Sequence, residues 1–221
     1  MLRSFVTNSL PNSKSSKKMA MELCDEVGLV YFGHVSQRDD EHHIVRGITV
    51  SNQHKDDHYC IGTYEGYDVI FVERSDTLQA DKSHVWHIIE VDLKAEADIP
   101  HMFITSHAKT AGFHELLKTK YHTMLPHVMG AVQPYPFAFT SAFSTHVTPA
   151  NAVMAEQLIT PYVADKLGSH FKGLSVEVTH DSLYVYSEKS HATASTLQTM
   201  LTNGVWLAEQ IDKNSKQAIT S

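Results

Sequence analysis

The feature that most constrains this chain is a pair of alternating runs separated by two residues. Tyr59 to Tyr64 and Tyr67 to Glu73 both repeat apolar residues with period two, and Glu65-Gly66 lies between them. Period two puts successive side chains on opposite faces of a strand, and a two-residue link ending in Gly joins antiparallel neighbours in a tight hairpin with Gly66 at positive φ. A further alternating run follows from His84 to Leu93, with Val85, His87, Ile89, Val91 and Leu93 on one face and Trp86, Ile88, Glu90 and Asp92 on the other. Strands that succeed one another without intervening helices exclude a doubly wound fold.

The rest of the chain supplies the helices. Lys17 to Val27 reads as a helix with Ala20, Cys24 and Val27 on one face and Gly28 as its stop. Leu29 to Val35 reads as a strand, Gln37 to His42 as an exposed connection, His43 to Val50 as a strand, and Ser75 to Ser83 as a loop. His101 to Thr105 is a short strand, and Phe113 to Tyr121 is helical, with Phe113, Leu116, Leu117 and Tyr121 on one side. Phe137 to Val147 is a strand on its aromatic and β-branched content. Thr148-Pro149 and Thr160-Pro161 each place a capping hydroxyl before a proline, so each opens a helix, the second ending by Gly168. Leu174 to Thr179 and Leu183 to Ser187 form a hairpin in which Asp181 of His180-Asp181 takes the unusual φ. Thr193 caps a last helix to about Asp212.

The expected architecture is α+β, a largely antiparallel sheet with helices packed on one face. Residues 1–16 read as a disordered tail, 17–212 as a single domain with an internal boundary near 123–136, and 213–221 as a frayed tail. The acid-free start, MLRSFVTNSLPNSKSSKKMAM, has one Arg and is broken by Pro11, which reads against a transit peptide or secretory signal.

The formal charge of −7 with scattered Lys and Arg argues against nucleic acid as a partner. No apolar run reaches the roughly 18 to 20 residues of a membrane span. Cys24 and Cys60 are too few for a disulfide framework or a four-thiolate zinc site. A reducing, cytoplasmic setting is the default expectation, with one disulfide between the two as the alternative.

The segment Tyr59 to Glu188 resembles an uncharacterised bacterial family of unknown function. The resemblance lies in the order of GTYEGYDVIFVER, a strand ending in VDL, FAFTSAFSTHV, a Leu-Ile-Thr-Pro helix start and a hairpin ending LYVYSE. Members often carry apolar membrane anchors ahead of this region, which this sequence lacks, and the resemblance implies no catalytic residue.

Histidine is the compositional outlier, 16 residues where about five would be usual. Protonating all of them would carry the formal charge from −7 to +9, so a pH-responsive His-rich interaction surface is one reading. A second is a metal-dependent hydrolase: in HKDDH, His54 and His58 with Asp57 offer nitrogen and oxygen donors for a divalent metal from an expected loop. The other histidines suggest less. His84 and His87 point to opposite strand faces, His42-His43 forms a charged turn, His114-Glu115 lacks the second His of a zinc-protease helix, and His180-Asp181 fits a hairpin turn. Gly-x-Ser-x-Gly and phosphate-binding glycine loops are absent. Tyr135, Phe137, Phe139, Phe143, Tyr162, Phe171, Tyr184 and Tyr186 read chiefly as core, with an apolar groove as the functional alternative. The leading expectation is a non-enzymatic, soluble binding or accessory domain with a protein partner and no cofactor. Its oligomeric state is not encoded in any motif.

Overall fold

A computed structural model describes residues 13–34, 45–50, 54–79, 82–96, 98–107, 111–130, 133–188 and 193–220. The strands are β1 (Val30–Gly33), β2 (Lys55–Tyr64), β3 (Tyr67–Gln79), β4 (Lys82–Asp92), β5 (Met102–Ser106), β6 (Leu125–His127), β7 (Phe143–Val147), β8 (Ser175–Thr179) and β9 (Ser182–Ser187). They form one nine-stranded sheet in the order β1-β2-β3-β4-β9-β8-β5-β7-β6, antiparallel at every recorded pairing. The helices are α1 (Ser13–Val27), α2 (Ala111–Lys120), α3 (Phe137–Thr140), α4 (Ala152–Leu158), α5 (Pro161–His170) and α6 (Ala194–Thr220). The fold is α+β.

The Glu65-Gly66 hairpin forms as its residues require, with Tyr64 opposite Tyr67 and φ of 50° and 81° at the two turn positions. At the β8–β9 turn His180, rather than Asp181, takes the positive φ, 48°. Thr160 Oγ1 accepts from the Val163 amide at 3.4 Å and caps α5, which runs on to His170. Thr148 makes no such bond, and Pro149–Asn151 forms a single 3₁₀ turn before α4.

Five segments differ from expectation. Residues 75–79 extend β3 and residues 82 and 83 begin β4, paired out to Gln79 opposite Lys82; a polar composition is no bar to a ladder whose bonds are all backbone. Residues 45–50 make bends and turns rather than a strand, because their backbone groups are taken by buried side chains described below. Phe137–Thr140 is a helical turn, and the strand starts only at Phe143. The turn nests against α5 at Gly168, where an added Cβ would meet the Ala138 and Phe139 backbone at 2.8 Å. Finally, α6 continues past Asp212 to Thr220. Its last turns are held by polar contacts that a hydrophobic stripe does not reveal: the Asp212 carboxylate accepts from Tyr67 Oη at 2.8 Å and the Lys94 amide at 3.0 Å, and Asn214 Nδ2 donates to Leu158 O at 2.8 Å. At the other end α1 begins at Ser13, and its buried Ser16 hydrogen-bonds Glu73 on β3.

Helices α1, α4, α5 and α6 and the α3 turn bury the larger core against one sheet face, through Leu23, Phe139, Leu158, Val163, Leu201 and Ile211 among others. The second face carries a smaller, aromatic core of Trp86, Phe103, Phe113, Tyr184 and Tyr186, closed by α2 and by Val45 and Ile48. Both faces of β4 are therefore covered.

The segment bearing Val45 and Ile48 is held by one charge. Arg74 and Asp56 are fully buried, paired between Nη2 and Oδ2 at 2.6 Å and between Nε and Oδ1 at 2.7 Å. Nη1 donates to Arg46 O at 3.1 Å and to Thr49 Oγ1 at 3.0 Å, and Nη2 also donates to Val45 O. All five guanidinium N–H donors thus have partners. Burial disfavours the charge on Arg74, but the Asp56 pair outweighs it and raises the pKa. Asp56→Ala should lower the unfolding free energy by about 3–5 kcal/mol in urea titrations, since it leaves a buried cation uncompensated. A loss below about 1 kcal/mol would show that the pair does not anchor this segment.

Candidate functional site: a cleft on the second sheet face

Residues directly opposite each other in an antiparallel sheet project to the same face. The register therefore lines up one row across the whole sheet: Val30, Ile61, Ile70, Glu90, Tyr184, Glu177, Phe103, His146 and Pro126, from β1 to β6. Ile61, Ile70, Tyr184 and Phe103 belong to the aromatic core side, so this row floors the second face. Its middle opens into a cleft of about 710 Å³, with Ile70, Glu90, Tyr184 and Glu177 below and Asp92, Thr179 and Ser182 in the adjoining row. Arg46, Gly47, His101, Tyr121 and the His180-Asp181 turn form the rim.

The two floor carboxylates are in different states. Glu177 is 1% exposed and spends both oxygens: Oε2 accepts from Ile48 N at 2.8 Å and Tyr186 Oη at 2.7 Å, and Oε1 lies 2.8 Å from His101 Nε2. It thereby clamps the 45–49 segment to the sheet. Gly47 makes the clamp possible, since its φ is +89° and a Cβ there would sit 2.0 Å from Tyr186 Oη. His101 is fixed in turn by edge-on contact with Tyr121, ring centres 5.0 Å apart. Glu177 and His101 are structural neighbours of the cleft.

Glu90 is the chemically responsive group. Burial pushes its carboxyl up to about 7; hydrogen bonds from Tyr184 and Ser182 and the Arg74 charge pull it down, and the Asp92 charge adds to the rise. Tyr184, opposite it, is raised beyond the range in which a phenol ionises in water, by burial and by the Glu90 charge. The floor of the cleft thus holds a carboxyl that changes charge near neutrality beside a phenol that stays protonated.

The sequence-derived metal candidates lie elsewhere, at and beyond the start of β2. Lys55 opens the strand, so HKDDH is largely extended rather than a loop. The register shifts between Asp57 and Cys60, and His58 sits at φ +62° in that bulge. Asp57 Oδ2 lies 2.7 Å from Lys55 Nζ, and its Oδ1 lies 3.2 Å from His34 Nδ1. His58 Nδ1 is 2.9 Å from Tyr31 Oη, and His54 is half-buried ahead of the strand. Among the described residues no group of three or more His, Cys, Asp and Glu side chains is arranged to hold a metal ion.

Of the other candidates, His87 is buried with Nε2 3.1 Å from Glu73 Oε2, while His84 stacks near Trp86 on the opposite face. Burial would raise Glu73, but hydrogen bonds from His87 and Ser16 and the histidine charges hold it below the usual carboxylate range. His180 Nδ1 lies 3.2 Å from Asp98 at the cleft rim. His42 and His43 fall outside the described residues, as do the side chains of His114 and Glu115. Of the eight aromatics, Phe139, Phe143, Phe171 and Tyr186 are core, Tyr135 is partly buried against it, Tyr184 floors the cleft, and Phe137 and Tyr162 are exposed. Glu90 was not singled out in the sequence beyond its strand face, because its isolation depends on strands β9 and β4 pairing across some ninety residues.

The direction at Glu90 sets a pH test. A carboxyl raised in the folded state stabilises the protein below its unfolded value, and that contribution is lost as pH rises through about 7. Glu90→Gln, which cannot ionise, should therefore be more stable than wild type at pH 8, by on the order of 2–3 kcal/mol. The advantage should disappear near pH 4.5. Equal melting at both pH values would show that Glu90 is not held in this state.

No protein-family model matches the chain, and no curated protein matches it in sequence. Among solved structures, it is similar to the mycobacterial trehalose monomycolate transport factor A, TtfA, with a TM-score of 0.59 over 90% of this chain and 93% of that one, at 11% identity. The likeness is one of fold.

Proposed function

We propose that this chain is a non-enzymatic accessory protein that binds a partner protein through the second face of its sheet, around the cleft. The observation that carries this reading is the unequal covering of the two faces. Helices α1 and α3 to α6 pack over the first, whereas on the second the apolar row runs from half-buried Ile70 and Ile61 out to Val30, 56% exposed on the edge strand. Phe32 on the same edge is 58% exposed. An apolar strip leading into a polar cleft is the arrangement of an interface core with its rim. No helix among the described residues is long and apolar enough to cross a membrane. The fold neighbour is, by its name, a transport factor, which accords with an accessory role.

A second reading, pH-responsive binding, draws on Glu90: a partner seated over the cleft meets a floor that gains negative charge as pH rises through about 7. It adds a pH dependence to the same surface.

Photo-crosslinking in the source cells tests the site. A crosslinking side chain at Ile70 should trap a partner protein, while one at Val153, exposed on α4 of the opposite face, should not. Tyr184→Ala should reduce the Ile70 adduct at least tenfold. Equal trapping from both positions, or an adduct indifferent to Tyr184, would refute the assignment.

A further inference from the structure

The structure assigns Cys24 and Cys60 as an oxidation site that closes into an intramolecular disulfide between α1 and β2. The geometry comes from one contact and the spacing of residues on α1. Cys60 is fully buried at the β2 centre, and its thiol donates to Ala20 O on α1 at 3.4 Å. Ala20 stands four residues before Cys24, so the two stack on one helix face, and a helical side chain leans toward the turn N-terminal to its own Cα. The Cys24 side chain therefore covers the spot that the Cys60 sulfur touches. Consistent with this, each thiol shifts the pKa of the other, and both lie in the core joining α1 to the sheet.

Their environments differ in a way that orders the steps. Interaction with Cys60 lowers the Cys24 pKa, against burial and the nearby Asp25 charge, while interaction with Cys24 and burial raise Cys60 strongly. Cys24, 3% exposed against 0% for Cys60, is the sulfur nearer the surface and meets the oxidant first, as a thiolate, while the chain folds. With a low-molecular-weight disulfide as oxidant, the Cys24 sulfur attacks one sulfur of the reagent, its S–S bond breaks, and one small thiolate leaves. The Cys60 sulfur then attacks Cys24 in the mixed disulfide and expels the second small thiolate. The two protein thiols are oxidised by two electrons, the reagent is reduced to two thiols, and their protons pass to those leaving groups.

The bond would tie α1, which begins at Ser13, to the sheet. It closes a loop of several tens of residues, and in the chain-entropy account that raises Tm by about 8–15 °C for a chain of this size. This inference is independent of the partner proposal.

The test refolds the full chain from denaturant in oxidised glutathione, so that access to buried sulfur does not limit the outcome. Expected are a product lighter by two hydrogen atoms after alkylation, a non-reducing peptide map joining the Cys24 and Cys60 peptides, and a Tm rise that dithiothreitol reverses. Cys24→Ala and Cys60→Ala should each abolish both the link and the rise. Recovery of folded protein with both thiols alkylatable, or with glutathione retained on either cysteine, would overturn the assignment, as would a link that leaves Tm unchanged or lower.

Discussion

The buried pair Arg74–Asp56 is the interaction on which the second face depends. A guanidinium removed from water must have every N–H satisfied and its charge balanced, or it costs several kcal/mol. Here Asp56 supplies the charge, and the carbonyls of Val45 and Arg46 with the Thr49 hydroxyl take the remaining donors. The requirement acts in both directions. Arg74 is tolerated because residues 45–49 surround it, and those residues hold a non-repetitive conformation because Arg74 binds their backbone groups. The same short segment presents Ile48 N to Glu177 and brings Gly47 against Tyr186, so it also walls the cleft.

The sheet's two faces consequently obey different physics. The first is a conventional apolar interface, in which helical stripes bury Leu, Ile, Val and Phe, and its stability follows from area removed from water. The second is aromatic and polar, with Trp86, Phe113 and Tyr186 packed edge to face around charges that are hydrogen-bonded to saturation. In that setting Glu90 stands out. It is buried as deeply as a core residue yet opens onto a cleft, and burial leaves it poised to change charge near neutrality. Glu177, one strand beyond Tyr184, is the same residue type in a different role: it contacts Ile48 N, Tyr186 Oη and His101 Nε2 and ties the 45–49 segment to the sheet.

Much of the secondary structure was legible because its causes are local. Glu65-Gly66 turns because Gly66 accepts a positive φ, and Thr160-Pro161 starts a helix because the hydroxyl caps and the proline loses nothing there. Where the cause was distant, local reading went astray. Residues 45–50 had strand composition but lost their backbone groups to Arg74; α6 outran its stripe because Asp212 and Asn214 found partners on β3, before β5 and on α4; and Phe137–Thr140 coiled against Gly168. The histidines pointed by composition to HKDDH, which lies at the start of β2, apart from the cleft; the cleft is built around carboxylates and a tyrosine on separate strands.

By itself, then, the amino-acid sequence determined the elements and the class: strand period, hairpin turns and capped helix starts are settled within a few residues, and strands in succession make an antiparallel α+β sheet. Tertiary structure alone decided the strand order, which inserts β9 and β8 between β4 and β5, and with it the row that brings Glu90, Tyr184 and Glu177 side by side. It also decided which charges are buried, since a carboxylate's pKa and an arginine's partners depend on groups tens to over a hundred residues away. Pairing across such distances reflects packing of the whole sheet, for which no short pattern in the chain stands as a signal.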